Sequence, residues 1–298
     1  MDHQVKPSAD QTAGSFRDKW HHHPDLAFSE TLREGSGIFQ WITTRNGFAT
    51  ADAFRQWLAP RRRILDAGCG NGRVTALLRK YAPEDADIVG IDLAAADVAR
   101  ANLEGQPRVS VFARDLLGDL GDLGEFDLIY CQEVLHHTAN PRQAFLNLTR
   151  LLSPNGEIAI YVYKVKAPLR EYADDYVRER VSQLPYQAAL DAMREITAFG
   201  KVLSELNTTV TVPDVKVLGI EAGEYEVQRL LYHFFLKCFW NPELDFDANA
   251  AINYDWYHPQ LSTRHTPEEV ASWFDAAGLT TIHRVVDHYG ITMRGVRQ

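Results

Sequence analysis

The residues best placed to do chemistry begin at Leu65-Asp66-Ala67-Gly68-Cys69-Gly70-Asn71-Gly72, where an acid stands just ahead of three glycines at alternate positions. An apolar lead-in, a glycine turn and a helix-like segment from Arg73 read as strand, tight turn and helix start. Glycine lets the backbone turn sharply and leaves no side chain between it and a ligand. A second apolar run, Ile88-Val89-Gly90-Ile91, ends at Asp92. An acid at the tip of the second strand of such a fold can accept hydrogen bonds from both ribose hydroxyls of an adenosine. Together the two features predict a site for a nucleoside-bearing cofactor. The spacing G-x-G-x-G lacks the third glycine of the dinucleotide fingerprint, and Asp66 would repel a diphosphate. An acid there suits a cofactor with a positive end, such as an amine beside a sulfonium.

The elements that must position these residues follow in order. Val109–Ala113 reads as a third strand, followed by Asp115 and Leu116, and Phe126–Cys131 as a fourth that runs into Gln132-Glu133-Val134-Leu135-His136-His137-Thr138. Leu151–Gly156 reads as a turn and Glu157–Tyr163 as a fifth strand. Strands separated by helix-length segments predict a parallel sheet covered on both faces, with ligands outside the carboxyl ends of its strands. The glycine motif and this succession resemble class I S-adenosylmethionine-dependent methyltransferases of the small-molecule type. The resemblance implies an α/β fold, a Rossmann-like seven-stranded sheet with helices on both faces, here with an inserted helical cap. It implies S-adenosyl-L-methionine as cofactor, held by Asp66, Gly68, Gly70, Asn71, Asp92, Leu93 and Gln132. Asp115 would receive the adenine amino group, and Leu116 would pack on the ring.

Methyl transfer is a backside displacement that needs alignment more than an elaborate catalyst, and a base only where the acceptor must lose a proton. His136 and His137, directly after the fourth strand, are the candidate bases, since imidazole titrates near neutrality. The plainer reading is that one of them packs beside the cofactor or bonds to backbone. Tyr161 and Tyr163 share one face of the fifth strand and are candidate acceptor contacts or ordinary packing. Trp256, Tyr257 and His258 lie in an aromatic stretch, Asn253 to Pro259, that is denser than a loop usually is; Pro259 and its polar neighbours argue against a buried strand, which makes these side chains candidates to line the pocket mouth and touch the acceptor. Arg264 and His265 are similar candidates, either of which can pair instead with a surface acid. Arg45 in Arg45-Asn46-Gly47-Phe48 is placed to pair with the cofactor carboxylate, or else forms a surface salt bridge. His21, His22 and His23 lack a partner acid at ligand spacing, so no metal is expected.

The 298 residues allow one large domain or a domain with a sizeable insertion, and 45% hydrophobic content supports a proper core. The polar start, residues 1–14, is expected to be disordered and has no signal-peptide core. Residues 15–58 read as a helical lid, 59–163 as the cofactor-binding core, and 164–262 as a helical cap insertion over the acceptor pocket. Residues 263–298 read as a closing helix and strand hairpin. Within the cap, Pro168–Val181 and Gln187–Leu206 read as helices, and the apolar spacing from Val227 to Cys238 as another of at least three turns. At the closing helix, Thr266 can cap and Glu269 can reach back to complete a capping box.

The net charge of −9 argues against a nucleic-acid partner. Cys69, Cys131 and Cys238 form no C-x-x-C pair and read as reduced thiols. No run is long enough to span a membrane. These features predict a soluble, cytoplasmic methyltransferase, monomer or homodimer, acting on O, N or C of a small organic acceptor, an acceptor of specialised metabolism among the possibilities. The competing readings are a methylase of protein or tRNA, a nicotinamide-dependent oxidoreductase on the same wound sheet, and a non-methylating S-adenosylmethionine-binding protein.

Overall fold

The computed structural model describes residues 8–298, which divide into two compact units. One, residues 20–164 with 263–298, is built on a seven-stranded sheet. Its strands are β1 (Arg63–Ala67), β2 (Asp87–Asp92), β3 (Val109–Ala113), β4 (Phe126–Gln132), β5 (Leu152–Tyr163), β6 (Leu279–Val286) and β7 (Gly290–Arg297). The order across the sheet is β3-β2-β1-β4-β5-β7-β6; β1 to β5 run parallel and β7 lies antiparallel to both β5 and β6. The apolar runs of the central strands are the mark of strands buried on both faces. One face packs Leu65, Ile129, Ile158 and Ile160 against Phe145 of the helix Pro141–Thr149 and Trp273 and Phe274 of Pro267–Ala276. The other packs Ile64, Ile88, Leu128 and Tyr130 against Phe39, Ile42, Phe54 and Leu58. The helices Gly37–Arg45 and Ala51–Leu58, expected as part of a lid, are therefore one covering layer of the sheet, because their apolar faces bury against it.

The fifth strand begins earlier than the Leu151–Gly156 turn predicts. It starts at Leu152, with a register irregularity opposite Phe126 and Leu128 and a left-handed Asn155 at φ 61°. Thr266 caps its helix as expected, its side chain accepting from the Glu269 amide at 3.1 Å. The Glu269 carboxylate does not complete a capping box; it bonds His265 instead.

The second unit, in its described residues 8–19 and 165–262, consists of helices, irregular segments and a ribbon of Thr209–Val212 paired with Gly223–Glu226. Pro168–Val181 and Tyr186–Glu205 form as the sequence predicts. Three expectations are corrected. Of the segment expected to be disordered, residues 1–7 lie outside the described residues, but Ala9 onward is helix to His22. Tertiary partners far along the chain hold it: Gln11 Nε2 donates to the carbonyls of Ser182 and His258, both at 2.9 Å. The helix from Val227 stops at Phe234, short of three turns. Side chains capture the backbone beyond it, the Asp174 carboxylate taking the Lys237 amide and Gln228 the Cys238 carbonyl. The aromatic stretch expected at a pocket mouth is, as far as Tyr257, the end of the helix Phe246–Tyr257, capped by Asp245. Among the described residues no helix is long and apolar enough to cross a membrane.

Candidate active site

The candidate site lies at the carboxyl ends of the parallel strands. The loop after β1 needs left-handed backbone at Gly68 (φ 84°) and Gly70 (φ 54°). A Cβ on Gly68 would sit 2.3 Å from the Val134 side chain, and one on Gly70 would meet the Trp20 ring at 3.0 Å. Close approach and backbone angle both demand glycine here. The loop is tied to β2 by the Gly68 amide donating to the Ile91 carbonyl at 2.7 Å and the Gly70 amide donating to Asp92 Oδ2 at 2.9 Å. Asp92 Oδ1 accepts from the amides of Ala94 and Ala95, both at 2.8 Å. Burial raises the Asp92 carboxyl above its ordinary range, against the pull of these three N–H donors. Asp66, at the end of β1, is more strongly affected: burial pushes it up to about 7 although the Thr75 hydroxyl donates to it at 2.6 Å.

The structure gathers some sequence candidates and redirects others. Leu93 stands open beside Asp92 at 54% exposure, while Leu116 is buried behind the exposed Asp115, whose Oδ1 accepts from the Leu117 amide at 2.9 Å. Asn71 is committed elsewhere. It is fully buried, and its Nδ2 donates to the carbonyls of Pro24 and Leu26 at 3.0 and 3.1 Å, so its side chain braces the loop from behind. Gln132 accepts from the Tyr130 hydroxyl, and its Nε2 is buried without a hydrogen-bond partner. After it, Glu133 adopts φ 61°, a strained value for a residue with a side chain, and turns the chain toward the two histidines.

His136, His137, Tyr161 and Tyr163 form one aromatic cluster. The His136 ring stacks on Tyr163 at 3.5 Å between centroids, and His137 stands edge-on to both, 4.4 Å from His136 and 5.6 Å from Tyr163. His136 is sealed from solvent and His137 is half-buried, so His137 is the more accessible of the two.

Arg45 is buried. Its Nη2 pairs with Asp287 Oδ2 at 2.5 Å, and its guanidinium lies 3.5 Å over the Trp41 ring and 4.9 Å from the centroid of Tyr161 on β5. Of the two readings of Arg45 the structure shows the salt bridge, buried here beneath an aromatic stack whose Tyr161 is two strands from β1. Trp256, Tyr257 and His258 are buried within the helical unit. Trp256 Nε1 and the Tyr257 hydroxyl both donate to Asp174 at 2.8 Å, and His258 bonds Ser15 Oγ and the Leu184 carbonyl at 2.8 and 3.0 Å. Their polar atoms are spent on that unit's own architecture, which corrects the expectation that they line a pocket mouth. Sequence reasoning missed Trp20 and Val134, the side chains packed against the two glycines, because nothing in local spacing marks them. Among the described residues no group of three His, Cys, Asp or Glu side chains is placed to hold a metal ion.

The sheet order, with one antiparallel strand inserted beside β5, and the glycine loop tied to an acid at the end of β2 define the Rossmann-like methyltransferase fold. Residues 65–160, within the sheet unit, match the family model described as a methyltransferase domain. An uncharacterized protein of Synechococcus sp. (strain ATCC 27144) is 39% identical over 124 residues, covering 39% of this chain and 30% of its own length. A ubiquinone biosynthesis O-methyltransferase of Alkalilimnicola ehrlichii is 36% identical over 101 residues, covering 33% of this chain and 40% of its own length. The match thus spans less than half of the curated relatives. Among solved structures, the 1,6-didemethyltoxoflavin-N1-methyltransferase of Burkholderia thailandensis, determined with S-adenosylhomocysteine bound, is similar in fold. Its TM-score is 0.50 at 14% identity, over 100% of this chain and 93% of that one.

Proposed function

We propose that this protein is an S-adenosylmethionine-dependent methyltransferase that moves a methyl group to O, N or C of a small organic acceptor in the cytoplasm. The observation that carries the reading is the glycine loop whose Gly70 amide is fastened to Asp92, with Leu93 open beside it. The residues present fit the cofactor. Gly68 and Gly70 leave the backbone bare, Asp92 Oδ2 keeps one lone pair for a ribose hydroxyl beside the three amides the carboxylate already holds, and Asp115 is exposed for an adenine amino group. S-adenosylmethionine supplies the activated methyl. The chain's own part is to hold the acceptor in line beside the His136–Tyr163 stack and, where the acceptor is acidic, to take its proton on His137.

The names of the relatives support a small organic acceptor and differ in the atom, O in one and N in the other. A net charge of −9 weighs against a nucleic-acid substrate. An acceptor of specialised metabolism is the class we favour.

Calorimetric titration tests the reading. S-adenosylmethionine and S-adenosylhomocysteine are expected to bind and NADH is not; binding of NADH alone would overturn it. Asp92→Ala should weaken S-adenosylhomocysteine by about 10- to 100-fold, the weight of hydrogen bonds to a charged group at roughly 1.5–3 kcal/mol. Unchanged affinity in that variant would refute the ribose assignment.

A further inference from the structure

The segment Trp20–Leu26 touches both of the loops that carry the cofactor candidates. At the first, the Trp20 indole lies against Gly70: a Cβ built on that glycine would stand 3.0 Å from Cε2 and Cζ2 of the ring and 3.2 Å from Nε1. At the second, His21 Nε2 lies 2.8 Å from Asp97 Oδ2, in the first turn of the helix Ala96–Asn102 that follows Asp92 and Leu93. The middle of the segment is pinned from the same two places. Asn71 Nδ2, inside the glycine motif, donates to the Pro24 and Leu26 carbonyls. Asn102 Nδ2, at the end of that helix, donates to the Pro24 carbonyl at 2.7 Å and to the Asn71 carbonyl at 2.9 Å. The Phe28 amide then closes on the Asp25 carbonyl at 3.0 Å, with Ala27 at φ 57°, so the chain turns sharply as it leaves. These contacts fix where the indole stands.

The indole brings a kind of attraction that the rest of the loop does not. Asp66 ends β1 ahead of Gly68, and Asp92 is fastened to the Gly70 amide, so two carboxyl groups bracket the loop and favour a ligand with a positive end. An aromatic face draws a cation through its quadrupole and offers a neutral group only dispersion. The sulfur of S-adenosylmethionine is a sulfonium; once the methyl has left, the sulfur of S-adenosylhomocysteine is a neutral thioether. The two compounds differ in nothing else, so a group beside the sulfur is the one that can tell them apart. Trp20 is half-buried and keeps part of its surface for a ligand.

We propose that Trp20 is a specificity-determining residue of the cofactor site: its indole stands beside the sulfonium and holds S-adenosylmethionine in preference to S-adenosylhomocysteine. The inference rests on the methyltransferase reading given above. Loss of the cation–π contact when the methyl leaves then favours exchange of spent cofactor for fresh. Asn71 and Asn102 take part without touching the cofactor, because their bonds to Pro24 and Leu26 hold the segment that carries the ring.

Calorimetric titration of the full chain with each adenosyl compound, in the native protein, Trp20→Phe and Trp20→Leu, tests the proposal. Trp20→Leu keeps apolar bulk and removes the aromatic face. It should weaken S-adenosylmethionine about 3- to 30-fold more than S-adenosylhomocysteine, the weight of a cation–π contact. Trp20→Phe keeps a ring and should retain most of the preference. The readout is a ratio of two affinities on one variant, so a general loosening of the loop lowers both together and cannot imitate a selective loss. Native chain grown with fluorinated tryptophan gives a second measurement that does not depend on Trp20→Leu folding. Fluorine drains negative potential from the ring face while nearly keeping its shape, and the preference for S-adenosylmethionine should fall. Equal losses for the two compounds in Trp20→Leu, or an unchanged preference in the fluorinated chain, overturn the proposal. Binding of neither compound to the native protein sinks the functional reading and this inference with it; binding of both, with equal losses in Trp20→Leu, sinks this inference alone.

Discussion

Asp66→Asn is expected to make the sheet unit more stable at neutral and alkaline pH, by up to about 4 kcal/mol above pH 7. Asp66 is 3% exposed, and burial pushes its carboxyl from 3.8 up to about 7. The Thr75 hydroxyl and the Arg73 charge pull the other way and do not offset the burial. The folded chain therefore holds this proton more tightly than the unfolded chain does. Its contribution is intact below the ordinary Asp range, drains away as pH rises toward 7, and is constant beyond. Asparagine keeps an oxygen for Thr75 and has no charge to bury. Urea unfolding of both proteins at several pH values from 4 to 8 measures it: the native protein should lose stability relative to the variant across that window. Parallel curves would mean that Asp66 ionises freely and that its burial costs nothing. Under the proposed cofactor reading the same group gains a partner, because a ligand with a positive end favours the carboxylate. S-adenosylmethionine should then bind more weakly below pH 7 in the native protein, with little pH dependence from this position in Asp66→Asn.

The site was legible in the sequence where its chemistry is local. Gly68 and Gly70 are readable because left-handed backbone and close approach exclude side chains, and Asp92 because it ends an apolar run that only a buried strand explains. His136, His137, Tyr161 and Tyr163 could be placed together because β4 and β5 are neighbours in a wound sheet, which sets their ends side by side. What failed depended on partners far along the chain. A salt bridge was one of the two readings of Arg45, but its acid, Asp287, lies 242 residues away and no local pattern joins them. Asn71 sits inside the glycine motif yet serves the Pro24–Leu26 turn. Trp256 to His258 misled for a different reason. The helix Phe246–Tyr257 is buried over most of its circumference, Asn249 and Asn253 included, so it lacks the alternation of wet and dry faces that betrays a helix. Those two asparagines are affordable inside because they satisfy backbone: Asn253 accepts from the Phe239 amide at 2.9 Å, and Asn249 from the Asn241 amide at 2.7 Å.

Asp174→Ala should destabilise the helical unit by about 3–5 kcal/mol, the cost of leaving a buried charge without its partner. Asp174 is fully buried and accepts four hydrogen bonds: from Arg170 Nε at 2.6 Å, Trp256 Nε1 and the Tyr257 hydroxyl at 2.8 Å each, and the Lys237 amide at 3.2 Å. Arg170, itself 2% exposed, would be stranded by the substitution, and Trp256 Nε1 and the Lys237 amide would lose this acceptor, while the Tyr257 hydroxyl keeps the Lys237 carbonyl at 3.0 Å. Burial alone would raise the Asp174 carboxyl, but Arg170 and the Tyr257 hydroxyl outweigh it and hold the group below its ordinary range. Its pH dependence is thus opposite to that of Asp66: the stabilisation is present above the ordinary Asp range and is lost as pH falls through the lowered folded value. Unfolding monitored by hydrogen exchange in residues 165–262 tests this directly. Asp174→Ala should speed exchange there while residues 63–163 keep their protection. The double variant Arg170→Met with Asp174→Leu distinguishes charge from packing, since removing both partners takes away the stranded guanidinium as well. If the double variant recovers most of the loss, the network acts by mutual compensation of buried charge. If it is as unstable as the single variant, the hydrogen bonds to Trp256, Tyr257 and Lys237 are what Asp174 contributes, and the ion pair is incidental to the fold.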